Sequence, residues 1–181
     1  ETDYGPYGWL EDYDPGWTPN TTDNQMKRYR FGAQPAICQW NLTQLANALY
    51  PLIDEVEPLQ AGLEHYVDRF NTGWPRMMGA KLGLHDFDAG RDGQLIETLV
   101  ELLPRIETDM TIFFRRLADV PAGTDELPDG EVLAPVLDAF YDPAELAGEV
   151  RADWLDWLGS YRARVNDDRA DGCLLYTSPS P

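Results

Sequence analysis

The densest chemistry in the sequence lies at its start. Residues 3–16 read Asp-Tyr-Gly-Pro-Tyr-Gly-Trp-Leu-Glu-Asp-Tyr-Asp-Pro-Gly, a run that mixes four carboxylates with four aromatic rings, two prolines and repeated glycines. Glycine and proline break a helix repeatedly here, so the stretch reads as a structured loop with defined turns. The aromatic side chains would pin that loop to a core beneath it. Asp3 stands directly before an aromatic residue and a glycine. The glycine lets the backbone turn sharply, and a carboxylate so placed can reach a magnesium ion bridging nucleotide phosphates. On its own the triplet is also what an ordinary turn looks like.

Other residues offer weaker chemistry. Asp86, Asp88, Asp92 and Glu97 fall at positions one, three, seven and twelve of a calcium loop. Arg91 occupies the place that needs glycine and Gly93 the place that needs an apolar residue, so the stretch reads instead as an acidic loop whose carboxylates cap the next helix. His65 has no second His or Cys at ligand spacing and reads as a packing or surface residue. Cys38 sits in an apolar helical pattern and reads as a buried, inert thiol. Lys27, Arg28 and Arg30 form the densest basic cluster. They could meet phosphates or the acidic loop, and a solvated, salt-bridged cluster is the favoured reading.

The longer string carries a resemblance. Residues 3–17, followed by Asn20 and Asp23, closely resemble the selenoprotein O family, and the likeness continues through 28–31, 34–42 and Leu45-Ala46. Met78, Lys81-Leu82-Gly83-Leu84, Asp109-Met110-Thr111 and Phe114-Arg115 extend it, so that it covers most of residues 3–117. The resemblance implies a protein adenylyltransferase with a kinase-like fold, which binds ATP in a reversed orientation and transfers AMP to Ser, Thr or Tyr hydroxyls of proteins. It implies magnesium or manganese as cofactor, ATP as substrate, and Asp3 as the one metal ligand in this chain, also approaching the nucleotide. The catalytic base and the other metal ligand would lie upstream of residue 1, so the chain alone should be inactive. The family often carries a cysteine, linked to redox control, at the position of Pro19. The fold expected is therefore mainly α, a partial C-terminal lobe of a protein-kinase-like fold with appended helices, over residues 1–172.

Helices must position these groups. Pro35 opens the first, with Ile37, Cys38, Trp40, Leu42, Leu45 and Leu49 on its apolar face and Pro51 at its end. A second runs from Glu57 to Phe70; residues 71–73 read as a turn; Trp74–Leu82 reads as a short helix closed by Gly83, with Met77, Met78 and Leu82 in the core. A helix over Gly93–Leu103 follows. Thr108 is expected to cap the next, burying Ile112, Phe113 and Leu117, and Arg115 and Arg116 are expected to pair with carboxylates. Residues 120–130 read as a loop. Asp129 should cap a helix through Phe140, and Asp142-Pro143-Ala144-Glu145 has the form of a helix start. The last helix places Leu146, Val150, Trp154, Trp157, Leu158, Tyr161 and Val165 on one face. No strand is expected beyond a short extended piece at Asp3-Tyr4.

Composition bounds the rest. The 181 residues are 43% hydrophobic and 12% aromatic, enough for a folded core. A net charge of -18 repels nucleic acid and anionic membranes as partners, leaving ATP and protein substrates. Asp is abundant and Lys nearly absent, which fits either a salt-adapted organism or a GC-rich genome. No segment has the length and apolarity of a membrane span. Cytoplasmic placement in a bacterium, or mitochondrial placement in a eukaryote, is expected. The chain opens inside a motif, so its native start is expected to lie upstream. Residues 173–181 resemble a translated sequencing adapter and are expected to be foreign to the fold. An alternative to the enzyme is a non-catalytic, acidic helical interaction module that keeps the same fold.

Overall fold

The computed structural model describes residues 8, 10–19 and 25–170, the side chains of 169 and 170 excepted. Asp3, the expected strand at Asp3-Tyr4 and the adapter-like tail lie outside the described residues. The fold is mainly helical, and among the described residues extended pairing is confined to two isolated bridges. The chain divides into two compact units. One holds Asp14–Trp74; the other holds Glu11–Tyr13 and the chain from Pro75 onward.

The first unit contains α1 (Gln34–Ile53) and most of α2 (Glu57–Lys81). Pro35 sits in the first turn of α1, where its missing N–H costs nothing. Pro51 does not end the helix, which runs two residues further. Asp54 then takes a left-handed conformation (φ 55°) and donates its amide to the Tyr50 carbonyl at 2.8 Å. Asp tolerates that conformation better than most side chains. The turn expected at 71–73 is absent, because α2 continues through it. The Thr72 hydroxyl bonds the Asp68 carbonyl at 2.8 Å, a partner one turn back that leaves the helix intact. The Tyr66 hydroxyl donates to the Pro35 carbonyl at 2.9 Å and ties α2 to the start of α1. No residue of α1 is buried. Cys38, Trp40 and Leu45 are exposed while Ile37, Leu42 and Leu49 are half-buried, so the core face expected on this helix is only partly covered by the described residues.

The second unit has a dense core. It contains the end of α2, then α3 (Ala89–Leu102), α4 (Met110–Arg116), α5 (Asp129–Leu133) and α6 (Gly148–Ala170), joined by short 3-10 turns. Gly83 ends α2 with φ 71°, as its position suggested. Leu82 is buried, whereas Met77 is 60% exposed and does not join the core. On α6, Trp154, Trp157, Leu158, Tyr161 and Val165 are buried along one face, at the spacing of successive helical turns. Trp154 meets Phe113 and Phe140 edge-on, at ring separations of 5.3 and 5.2 Å, and Trp157 stacks on Tyr161 at 5.4 Å. Each such ring pair adds about 0.5–1.5 kcal/mol beyond burial. Two polar ends are met: Trp157 Nε1 donates to the Leu95 carbonyl at 2.8 Å and Tyr161 Oη to that of Leu82 at 3.0 Å, whereas the buried Trp154 Nε1 has no hydrogen-bond partner among the described residues.

Three local expectations change here. Asp109, not Thr108, caps α4, accepting from the Ile112 amide at 2.8 Å. Thr108 is fully buried, its hydroxyl on the Ile106 carbonyl and its backbone bridged to Phe140. The helix expected from Asp129 to Phe140 is α5 followed by a 3-10 run over Ala134–Ala139, where Pro135 removes a donor. Asp142 does cap, accepting from the Ala144 amide at 3.0 Å, but it opens a single 3-10 turn, and α6 begins only at Gly148.

Candidate functional site

The described part of the acidic loop is its exit, from Leu10 onward, and two sets of backbone bonds fix it. In the second unit, the Glu11 carbonyl accepts from the Met110 amide at 2.9 Å and the Tyr13 amide donates to Thr108 at 3.2 Å. These make Asp12 and Asp109 an antiparallel bridge at the start of α4. In the first unit, residues 14–17 form a turn. Asp14 Oδ1 accepts from the Gly16 amide at 2.7 Å, and Trp17 donates to the Asp14 carbonyl at 3.1 Å. Phe31 and Gly32 then donate to Trp17 and Pro15 at 2.9 and 2.8 Å. Asp14 is thus a turn-forming carboxylate, as its place before Pro-Gly suggests. Tyr141 faces this region of the second unit. Burial raises its phenol above the ordinary value, and the carboxylates of Asp109, Glu11, Asp12 and Glu107 raise it further.

The basic cluster of the first unit turns toward carbonyls and rings. Lys27 reaches the Gly16 carbonyl at 3.4 Å and Arg30 that of Lys27 at 3.4 Å. The Arg28 guanidinium lies over the Trp40 ring at 3.9 Å. Arg116 forms the carboxylate pair expected of it, with Asp138 at 2.5–3.1 Å and Asp119 at 3.5 Å.

The calcium-like loop resolves into a cap and a clamp. Asp88 caps α3, accepting from the Arg91 amide at 2.9 Å. Asp92 points inward and is 1% exposed. Its oxygens accept from Arg164 Nε at 2.7 Å, Arg91 Nε at 3.0 Å and the Asp88 amide at 2.9 Å. Arg164 also bonds Asp168 on its own helix and the Asp86 carbonyl at 3.0 Å, and Asp168 accepts from the His85 amide at 3.0 Å. Burial alone would push the Asp92 carboxyl up. The hydrogen bonds from Arg164, Arg91 and the Asp88 amide outweigh it and hold the group below the ordinary carboxylate value. With both oxygens engaged, this cluster joins α3 to α6 rather than offering ligands. Among the described residues no group of three or more His, Cys, Asp or Glu side chains could hold a metal ion. The clamp was not evident from sequence. Its one signal was the Arg164–Asp168 spacing of four on a helix.

Comparison with known proteins places the chain. The family described as protein adenylyltransferase SelO matches residues 1–175. A protein nucleotidyltransferase YdiU from Rhodopirellula baltica is 53% identical over 170 residues, covering 92% of this chain and 32% of that protein. Proteins of the same name from Aromatoleum aromaticum and Flavobacterium johnsoniae are 50% and 49% identical, covering 94% and 91% of this chain and 31% of each relative. The chain therefore spans about a third of the length of the curated relatives it matches. It belongs to the SelO family of protein adenylyltransferases.

Proposed function

We propose that residues 1–172 are part of the C-terminal lobe of a kinase-like protein adenylyltransferase, which in the complete protein moves AMP from ATP onto Ser, Thr or Tyr hydroxyls. The observation that carries this reading is the unbroken match to the SelO family over residues 1–175, with relatives near 50% identity named protein nucleotidyltransferases. In the reaction, the acceptor hydroxyl oxygen bonds to the α-phosphorus of ATP, the bond from that phosphorus toward the β-phosphate breaks, and pyrophosphate leaves. The hydroxyl proton passes to a carboxylate upstream of residue 1.

Asp3 is the residue of this chain that would hold magnesium or manganese. Magnesium takes only one or two protein carboxylates and fills its remaining positions with water and phosphate oxygens. A loop that supplies one Asp fits that demand. When bound, the ion neutralises charge on the ATP phosphates. The bridge of Asp12 to Asp109 and the turn at Asp14 anchor the exit of the loop that carries Asp3. The substrates are ATP and proteins, and the strong negative charge disfavours nucleic acid and anionic membranes. No helix of the described residues is long and apolar enough to cross a membrane, and a bacterial cytoplasmic location is proposed from the relatives.

The test uses the full-length protein. Asp3→Ala should lower AMP transfer to a generic protein acceptor by roughly a hundredfold or more, as when an electrostatic group leaves a site. It should also weaken magnesium-ATP binding, so that the remaining transfer needs more magnesium. Asp14→Ala should lose stability before activity, because its carboxylate serves a backbone turn. A folded, fully active Asp3→Ala protein beside an inactive but folded Asp14→Ala protein would move the metal site elsewhere in the loop.

A further inference from the structure

Residues 107–109 run between two other short extended segments of the second unit. On one side the Tyr13 amide donates to the Thr108 carbonyl at 3.2 Å and the Met110 amide to the Glu11 carbonyl at 2.9 Å. On the other the Asp109 amide donates to the Ala139 carbonyl at 2.7 Å and the Tyr141 amide to the Glu107 carbonyl at 3.1 Å. Thr108, between them, is fully buried. The Met110 amide that grips Glu11 is also the first of α4, so its position depends on the first turn of that helix. Asp109 closes this turn: its Oδ1 accepts from the Ile112 amide at 2.8 Å and its carbonyl from the Phe113 amide at 2.9 Å. α4 has only seven residues, too few to hold a helix in water unaided. Without the cap the turn frays, and the hold on Glu11 loosens with it.

We propose that Asp109 is a positioning residue for magnesium-ATP in the complete protein: by capping α4 it fixes the Met110 amide, and through it the point at Glu11 from which the loop carrying Asp3 extends. The proposal rests on the reading of Asp3 as the metal ligand. Asp109 itself touches neither metal nor nucleotide in this account, since its carboxylate is engaged by the Ile112 amide. Its effect is bounded: the loop can be shifted by no more free energy than the cap contributes. Asp88 is the matched comparison. It caps α3 in the same way, accepting from the Arg91 amide at 2.9 Å, but α3 makes no backbone bond to residues 11–13.

The test measures ATP binding to the full-length protein by calorimetry across magnesium concentrations. Asp109→Ala should raise the magnesium needed for half-maximal binding by about fivefold, the factor that a lost cap of ordinary strength allows. Asp109→Asn keeps a capping oxygen and should stay within about twofold of the wild type, as should Asp88→Ala. An unchanged requirement in Asp109→Ala would overturn the proposal, and so would an Asn variant as impaired as the Ala variant or an Asp88→Ala variant impaired to the same degree. Asp3→Ala separates this inference from the reading beneath it. If Asp3→Ala raises the requirement and Asp109→Ala does not, Asp3 stands and the positioning role falls; if only Asp109→Ala raises it, the anchoring stands and the metal ligand is not Asp3. The unaltered protein gives a second readout that needs no variant. Coupling is reciprocal, so magnesium-ATP should slow hydrogen exchange at the start of α4, in residues 110–113, and leave the start of α3 unchanged. No slowing at α4, or equal slowing at both helices, would contradict the assignment.

Discussion

The two units differ in how their apolar residues are used. Every fully buried large side chain among the described residues belongs to the second unit, from Leu82 to Leu158. The first unit has the least charged helix of the chain and buries none of it. Apolar sequence alone therefore does not make a core; a partner surface must be present to cover it. In the second unit α6 packs against both α3 and α4, and the Asp92–Arg164–Asp168 cluster locks α3 to α6. In the first unit α1 meets α2 on one side only.

The sharpest way to break this contrast is to truncate one large side chain in each unit of this chain and compare unfolding in urea. Trp154→Ala should cost about 3–5 kcal/mol, the range for large aromatic side chains removed from a packed core. Leu52→Ala should stay within about 0.5 kcal/mol, as for other exposed positions. A large cost at Leu52 would mean that the first unit has a core of its own.

The clamp comes next. Arg164→Met removes a partner of buried Asp92 and should cost about 3 kcal/mol, the low end for a broken buried pair, since Arg91 and the Asp88 amide still serve the carboxylate. The same group sets a pH dependence. Because the folded Asp92 carboxyl titrates below its unfolded value, its stabilisation is complete above the ordinary carboxylate range near pH 4 and is lost as pH falls through the lower folded value. Unfolding free energy measured from pH 5 to pH 2 should therefore fall more steeply for the wild type than for Asp92→Asn. Parallel curves would show that the clamp is not what responds.

The smallest effects pit two glycines of α2 against each other. A Cβ on Gly79 would lie 2.6 Å from the Phe87 ring, so Gly79→Ala should cost about 1–3 kcal/mol by overpacking. Gly62 has nothing within 4 Å of that position, and Gly62→Ala should stabilise by about 0.5–1 kcal/mol through helix propensity. Thermal midpoints that move the same way in both variants would erase the distinction between a packed and an unpacked stretch of one helix.

Much of this was legible in the sequence where one local signal decided the outcome. The face of α6 was readable because Trp154, Trp157, Leu158, Tyr161 and Val165 keep helical spacing, and Gly83 because a glycine after an apolar helix favours the left-handed cap. Caps were readable in kind but not in position, since Thr108 and Asp109 are both good caps and only the burial of Thr108 separates them. The break read at residues 71–73 failed because α2 continues through Asn71, Thr72 and Gly73, with the Thr72 hydroxyl turned back onto the Asp68 carbonyl and not onto a turn. The burial expected for Cys38 failed for another reason: periodicity says which face is apolar, not whether a neighbour lies against it. The Asp92–Arg164 pair was illegible because it joins residues 72 apart, and no local pattern carries such a contact. The metal-site expectation at Asp3 rests on the family motif, and that residue lies outside the described residues.

Hydrogen exchange, followed peptide by peptide in this chain, tests the contrast most directly. The amides of α3 and α6 should exchange only through global unfolding, and those of α1 should exchange through cheap local opening. If α1 is as slow as α6, then the two units are packed alike and the contrast between them is wrong.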